Sequence, residues 1–212
     1  MLAGMAGTRA SNTPSGDRRV RRTRSALARA LIELVEEQDL ARISVSDVAE
    51  GAGVSRSAFY AHYRDVHELA EDACTAMIDG LIESLPAPAF DSADLAQEAT
   101  RSLAAFFASL SAHAGLYRAL LGPQGSARVV EHTRRRIADV IREHLVHTGA
   151  GEPLRRIPHD VTASFTAGAL IGVAIDWLQA GCSRTPTEIA EMTWPLLQGY
   201  YRIDTRDEDS AR

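Results

Sequence analysis

Arg56, Ser57, Tyr60, His62 and Tyr63 set a guanidinium, hydroxyls and an imidazole along one short stretch of chain. These groups are hydrogen-bond donors suited to phosphate oxygens and base edges. A second basic set lies upstream, where Arg18, Arg19, Arg21, Arg22 and Arg24 crowd into seven residues. Arginine grips phosphate with a planar fork of donors. Together the two sets point to recognition of nucleic acid.

The first set needs a scaffold, and the residues before it supply one. Val45, Val48, Ala49 and Ala52 recur at spacings of three and four, the apolar stripe of a short helix over 45–52. Gly53 follows, suited to the position just past a helix end where φ turns positive. Val54 is an apolar turn residue able to plug the angle between two helices. Ser55 is a good N-cap for a second helix over 56–62. Helix, tight turn and donor-bearing helix make a helix-turn-helix pattern, whose second helix lies in the major groove of DNA.

Charge supports the same reading. The net charge is −5, yet residues 1–30 hold seven arginines and one acid, leaving −11 on the remainder. A basic N-terminus on an acidic body suits local contact with DNA. All 23 basic residues are arginine. Cations in the first turns of a helix oppose its dipole, so the arginines at 18–24 make most sense facing phosphates; a solvated basic tail is the competing view. Two cysteines make no disulfide framework, and residues 1–15 lack an apolar signal core, so a cytoplasmic location is expected.

The rest of the chain reads as helix, giving an all-α fold of about nine helices. Residues 1–16 form a polar tail without periodicity. A basic amphipathic helix over 17–38 buries Leu27, Leu31, Leu34 and Val35. A longer helix over 66–84 follows the helix-turn-helix and ends before Pro86 and Pro88. Helices over 92–112, 114–121, 125–148, 159–181 and 186–202 complete the chain. The domains expected are a tail at 1–16, a DNA-binding unit at 17–65, a helical body at 66–204 and a polar tail at 205–212.

The segment 159–181 is apolar nearly all round, so it must be buried on more than one side. Its apolar run is too short for a membrane span. Gly168 and Gly172, one turn apart, admit another backbone. With Ile175 and with Ile189, Met192, Leu196, Leu197 and Tyr200 of the last helix they form the expected homodimer interface, a four-helix bundle. Met77, Phe106, Phe107, Tyr117, Phe165 and Trp177 fall on inner helix faces, with His113 and Asp176 as polar groups among them. Each could be core filling; as a set they would line a pocket for an apolar or amphipathic small molecule.

Other chemistries find little support. His144 and His147 share a helix face without a full ligand set, so no metal and no cofactor is expected. No spacing of a nucleophile elbow, phosphate loop or zinc protease occurs, which leaves an enzyme without a catalytic cluster. A small-molecule-binding helical protein or helical enzyme without a DNA role is the competing class. It would leave the basic arm and the motif unexplained.

The stretch at about 20–70 resembles the TetR family of transcriptional regulators. The likeness is carried by the sequence from Ile43 to Ser55, by Phe59-Tyr60-Ala61-His62-Tyr63 and by Glu68-Leu69. The resemblance implies that Ser44 caps the first motif helix and bonds phosphate, and that Ser46 faces DNA. It implies that Ser55, Arg56 and Ser57 open the recognition helix, that Tyr60 contacts phosphate and that His62 lies at the groove wall. Arg19 and Arg22 are expected on the DNA backbone. Tyr63 stands where the family has a core Phe, and Val66 stands where it has a phosphate-binding Lys. An inverted-repeat DNA operator, a small-molecule effector, a homodimer and repression are what the resemblance implies for function, with no membrane partner.

Overall fold

The computed structural model describes residues 14–85, 95–148 and 157–202. Those residues form nine α-helices and no strand. They are α1 (Pro14–Glu37), α2 (Val45–Gly51), α3 (Arg56–Tyr60), α4 (Val66–Ser84), α5 (Leu95–Ala112), α6 (Ala114–Leu121), α7 (Ala127–Thr148), α8 (His159–Gln179) and α9 (Pro186–Arg202). A 3-10 turn over Leu40–Arg42 joins α1 to α2. Helix α1 begins at Pro14, so part of the expected tail is helical. The tails at 1–13 and 203–212 and the proline-bearing link at 86–94 lie outside the described residues.

Apolar spacing sets which face each helix buries. Leu27, Leu31 and Val35 of α1 are buried, as their three-and-four spacing requires. Helix α4 buries Leu69, Ala73, Ile78 and Leu81 and touches α1 in the head and α6 and α7 in the body. One core therefore runs through α4 from the reading head to the body. Helix α6 lies at the centre, with Leu116, Tyr117, Leu120 and Leu121 all buried. Its close seat on α1 requires Gly115, because a Cβ there would lie 2.9 Å from the Val35 carbonyl oxygen.

Helices α8 and α9 are not each other's main neighbours within the protomer. Instead α8 packs chiefly on α7, and α9 on α5. Helix α8 spans 21 residues, long enough by length and composition to cross a membrane, so shortness is not a reason against a span. Its apolar character is used in packing: Ala163, Ala167, Leu170, Ile171, Ala174, Trp177 and Leu178 are buried in protein.

Four of the expected pocket residues, Phe106, Phe107, Tyr117 and Trp177, are core residues. Phe107 meets Phe106 and Trp177 edge-to-face, each at 5.3 Å between ring centroids, and all three rings are buried. Tyr117 is buried in the same core, and Met77 packs partly buried against it. Phe165, at 48% exposure, lies on the outside of α8. His113 sits elsewhere, at the start of α6, with Nδ1 3.6 Å from Glu36. It borders an open cleft of about 1160 Å³ between the end of α1, the 3-10 turn, the start of α4 and α6. Inner-face spacing marked Phe106, Phe107, Tyr117 and Trp177 correctly as buried and Phe165 wrongly, and the Phe107 and Trp177 rings pack on one another.

Candidate nucleic-acid interface

Local chemistry fixes the reading head. Ser44 caps α2: its hydroxyl accepts from the Asp47 amide at 3.3 Å, and the Asp47 carboxylate accepts from the Ser44 amide at 2.8 Å. This reciprocal box satisfies two amides that a helix start leaves without partners. The Ser44 amide first, and the Ser44 hydroxyl after it, favour the ionised acid, so the Asp47 pKa falls below the usual carboxylate value. The helix ends at Ala52, and Gly53 takes φ +64°. The Gly53 amide donates to the Glu50 carbonyl at 3.0 Å, and the Val54 amide to that of Ala49 at 2.9 Å. That pair of bonds is a Schellman closure, and it turns the chain sharply into α3.

Ser55 caps α3, accepting from the Ala58 amide at 3.1 Å and bonding the Ser57 hydroxyl at 2.9 Å. Phe59 anchors the short helix from below with no exposed surface. Tyr60 stands outward at 53% exposure, its ring edge-to-face on Phe59 at 5.6 Å. Arg56, Ser57 and Ser46 are exposed, as are Arg18, Arg19, Arg21 and Arg22. None of these arginines makes an ion pair among the described residues. His62 is half-buried, its ring 6.5 Å from that of Tyr63.

Two expectations are corrected here, and Val66 finds its place. Tyr63 is not a DNA-facing group: it is 5% exposed, and its hydroxyl donates to Asp72 at 2.7 Å while accepting from Arg24 at 3.0 Å. Arg24 is not free for phosphate, because it also donates to both Asp72 oxygens at 2.9 Å. Its bonds to Tyr63 and Asp72 raise its already high pKa. Val66 packs inward as a core residue at the first turn of α4. The basic surface therefore rests on the arginines at 18–22 and on Arg56.

The expected interface residues also divide. Ile189 and Leu197 are buried within their own protomer, against the expectation that they meet a second copy. Gly168, Gly172, Met192 and Leu196 are exposed, and Ile175 is half-buried. The side chain of Tyr200 lies outside the described residues.

One set of residues escaped sequence reasoning: acids of α4 facing bases of α7. Glu71 accepts from Ser126 and, at 2.9 Å, from Arg128. Asp79 accepts from Arg136 at 2.7 Å and faces His132 Nε2 at 3.0 Å. The signal was available in the spacing, with acids at 71, 79 and 83 and bases at 128, 132 and 136, each on one helix face. It gave no reason to pair these two helices rather than others. Among the described residues no three His, Cys, Asp or Glu gather as metal ligands.

An exposed donor-bearing helix after a tight turn, mounted on a helical body through α4, defines a helix-turn-helix transcriptional regulator. The comparisons agree. Residues 27–73 match the family model of bacterial regulatory proteins, tetR family, and residues 97–199 match a transcriptional regulator C-terminal region. The chain belongs to the TetR family.

It is 34% identical over 96 residues to the uncharacterized HTH-type transcriptional regulator YxbF of Bacillus subtilis, covering 45% of this chain and 25% of that protein. It is 31% identical over 118 residues to the HTH-type transcriptional regulator EthR of Mycolicibacterium smegmatis, covering 52% of this chain and 50% of that one. The chain thus spans half or less of the curated relatives it matches. A TetR-family regulator from Streptomyces coelicolor shares the fold, with TM-score 0.65 at 21% identity over 85% of this chain and 82% of that one.

Proposed function

We propose that the protein binds an inverted-repeat DNA operator as a homodimer and represses transcription until a small-molecule effector releases it. The observation that carries the DNA reading is the head itself. Arg56, Ser57 and Tyr60 stand outward from a helix whose position is fixed by Phe59, the Ser55 cap and the turn at Gly53. Arginines of α1 without an ion pair among the described residues lie on the same head. Phosphate contacts would position the head and Arg56 would read a base edge.

Exposed apolar stripes support the homodimer. Val161, Phe165, Gly168 and Gly172 follow one face of α8, and Met192 and Leu196 are exposed on α9. A Cβ built on either glycine meets nothing within 4 Å among the described residues, so their packing does not require glycine there. A second copy would use that space. Two-fold symmetry then places the half-sites about 34–36 Å apart.

Repression and the effector come from family membership. An effector in the body reaches the head through α4, which packs on α1 at one end and is bonded to α7 along its length. Couplings of this kind are worth about 1–3 kcal/mol.

Selection from a random duplex pool, followed by gel shifts at two salt concentrations and sedimentation, tests the reading. The expected outcome is an enriched inverted repeat, bound by a dimer and weakened steeply by salt. Absence of sequence enrichment, or salt-independent binding, would overturn it. A folded monomer occupying single half-sites would overturn the dimer.

A further inference from the structure

Arg24, Tyr63 and Asp72 close a ring of hydrogen bonds across three elements. Arg24 belongs to α1, Tyr63 to the turn that follows α3, and Asp72 to α4. Arg24 Nη2 donates to both Asp72 oxygens at 2.9 Å, Arg24 Nε donates to the Tyr63 hydroxyl at 3.0 Å, and that hydroxyl donates to Asp72 Oδ2 at 2.7 Å. The Arg24 guanidinium lies 5.6 Å from the Tyr63 ring centroid. The phenol hydroxyl thus both donates and accepts within the one pair.

Neighbouring charges are engaged elsewhere. A small polar recess beside the ring is bordered by His62, Glu68 and Arg128. Glu68 is bonded to Arg64, and Arg128 to Glu71. The Arg24–Asp72 pair is itself about half exposed, and such pairs alone hold little. The buried Tyr63 hydroxyl changes that by fixing the pair to the core of the head. Burial pushes the phenol pKa up, so it keeps the proton it donates to Asp72.

We propose that Arg24, Tyr63 and Asp72 are positioning residues for operator recognition, a clamp that sets the end of the reading helix and the basic helix α1 against α4. Arg24 then acts through Asp72 and Tyr63, not through a phosphate. The proposal rests on the DNA-binding reading above, and deepens it. It also gives the phenol at position 63 a use that a phenylalanine ring could not supply.

The test uses the full chain, the duplex selected above, and the variants Tyr63→Phe, Arg24→Gln, Asp72→Asn and the double variant R24Q/D72N. Thermal melts first establish that each is folded. Each single variant is expected to weaken operator binding about fivefold, the usual scale for losing bonds of this kind. The double variant should be no weaker than the weaker single one, since both remove the same contact. The dependence of affinity on salt should keep its slope in Arg24→Gln, because a clamped arginine releases no counterion.

A slope lowered by about 1 in Arg24→Gln, with tighter binding in Asp72→Asn, would make Arg24 a phosphate contact and overturn the clamp. Wild-type affinity in Tyr63→Phe would overturn it as well. Amide exchange on the free protein supplies an arm without DNA: Tyr63→Phe should speed exchange in the 61–65 turn, and unchanged exchange would count against the clamp. If the wild type selects no DNA sequence, the functional reading fails while this arm still reads the clamp.

Discussion

The reading head and the α8–α9 end are built on opposite principles. In the head, short-range bonds do most of the specifying: Ser44 with Asp47, Gly53 with Glu50, Ser55 with Ala58. Its outward surface is donors and cations. Helix α9 has one such device, the reciprocal bonds of Thr185 and Glu188 at its start, but α8 and α9 are placed mainly by apolar packing on α7 and α5. Their outward surface keeps apolar groups such as Phe165, Met192 and Leu196. A helix of only five residues, α3, needs caps and one deep anchor to hold its angle. Helices of 17 and 21 residues can leave a face uncommitted and still stay in place.

The largest expected effect tests the anchor. Phe59→Ala should cost about 3–5 kcal/mol in chemical denaturation, since a fully buried ring leaves a cavity in a small unit. Leu196→Glu, at a site 72% exposed, should leave the protomer's melting almost unchanged while splitting the dimer in sedimentation. If Leu196→Glu melts as badly as Phe59→Ala, the contrast between the two ends is wrong.

Gly53→Ala comes next. Nothing crowds its Cβ, so the expected loss of about 1–2 kcal/mol is the conformational cost of φ +64° alone. Ser44→Ala should cost about 1 kcal/mol as a lost cap. The box adds a pH signature. Asp47 titrates lower folded than unfolded, so its contribution is present above the ordinary carboxylate range and lost as pH falls through the lowered value. The stability gap between wild type and Asp47→Asn should therefore narrow on acidification from neutral pH. A gap that widens would show that the box does not favour the ionised acid.

The same contrast separates what is legible in the sequence from what is not. Helix α4 at 66–84 and α6 at 114–121 match their predicted spans, and α9 begins and ends where expected. Apolar periodicity and caps are local, so they show in the order of residues. The Gly53 and Ser55 roles were legible for the same reason, while the Ser44 cap was implied by the family resemblance. Contacts between distant residues were not. Arg24 looked like one more phosphate arginine, because Tyr63 and Asp72 lie 39 and 48 residues away. Ile189 and Leu197 looked like interface residues, because periodicity marks a buried face without saying which neighbour covers it. Phe107 and Trp177 looked like pocket lining, since only packing shows that two rings fill the space between them.

The central claim is that α3 reads bases while the arginines of α1 hold the backbone. Comparing Arg56→Ala with Arg22→Ala on the selected operator, against every single-base variant of one half-site and over a range of salt, tests it most directly. Arg56→Ala should relax discrimination at one position by about 1–3 kcal/mol. Arg22→Ala should weaken all sequences alike and lower the salt slope by about 1. Uniform weakening by both variants, with no position losing discrimination, would contradict the account.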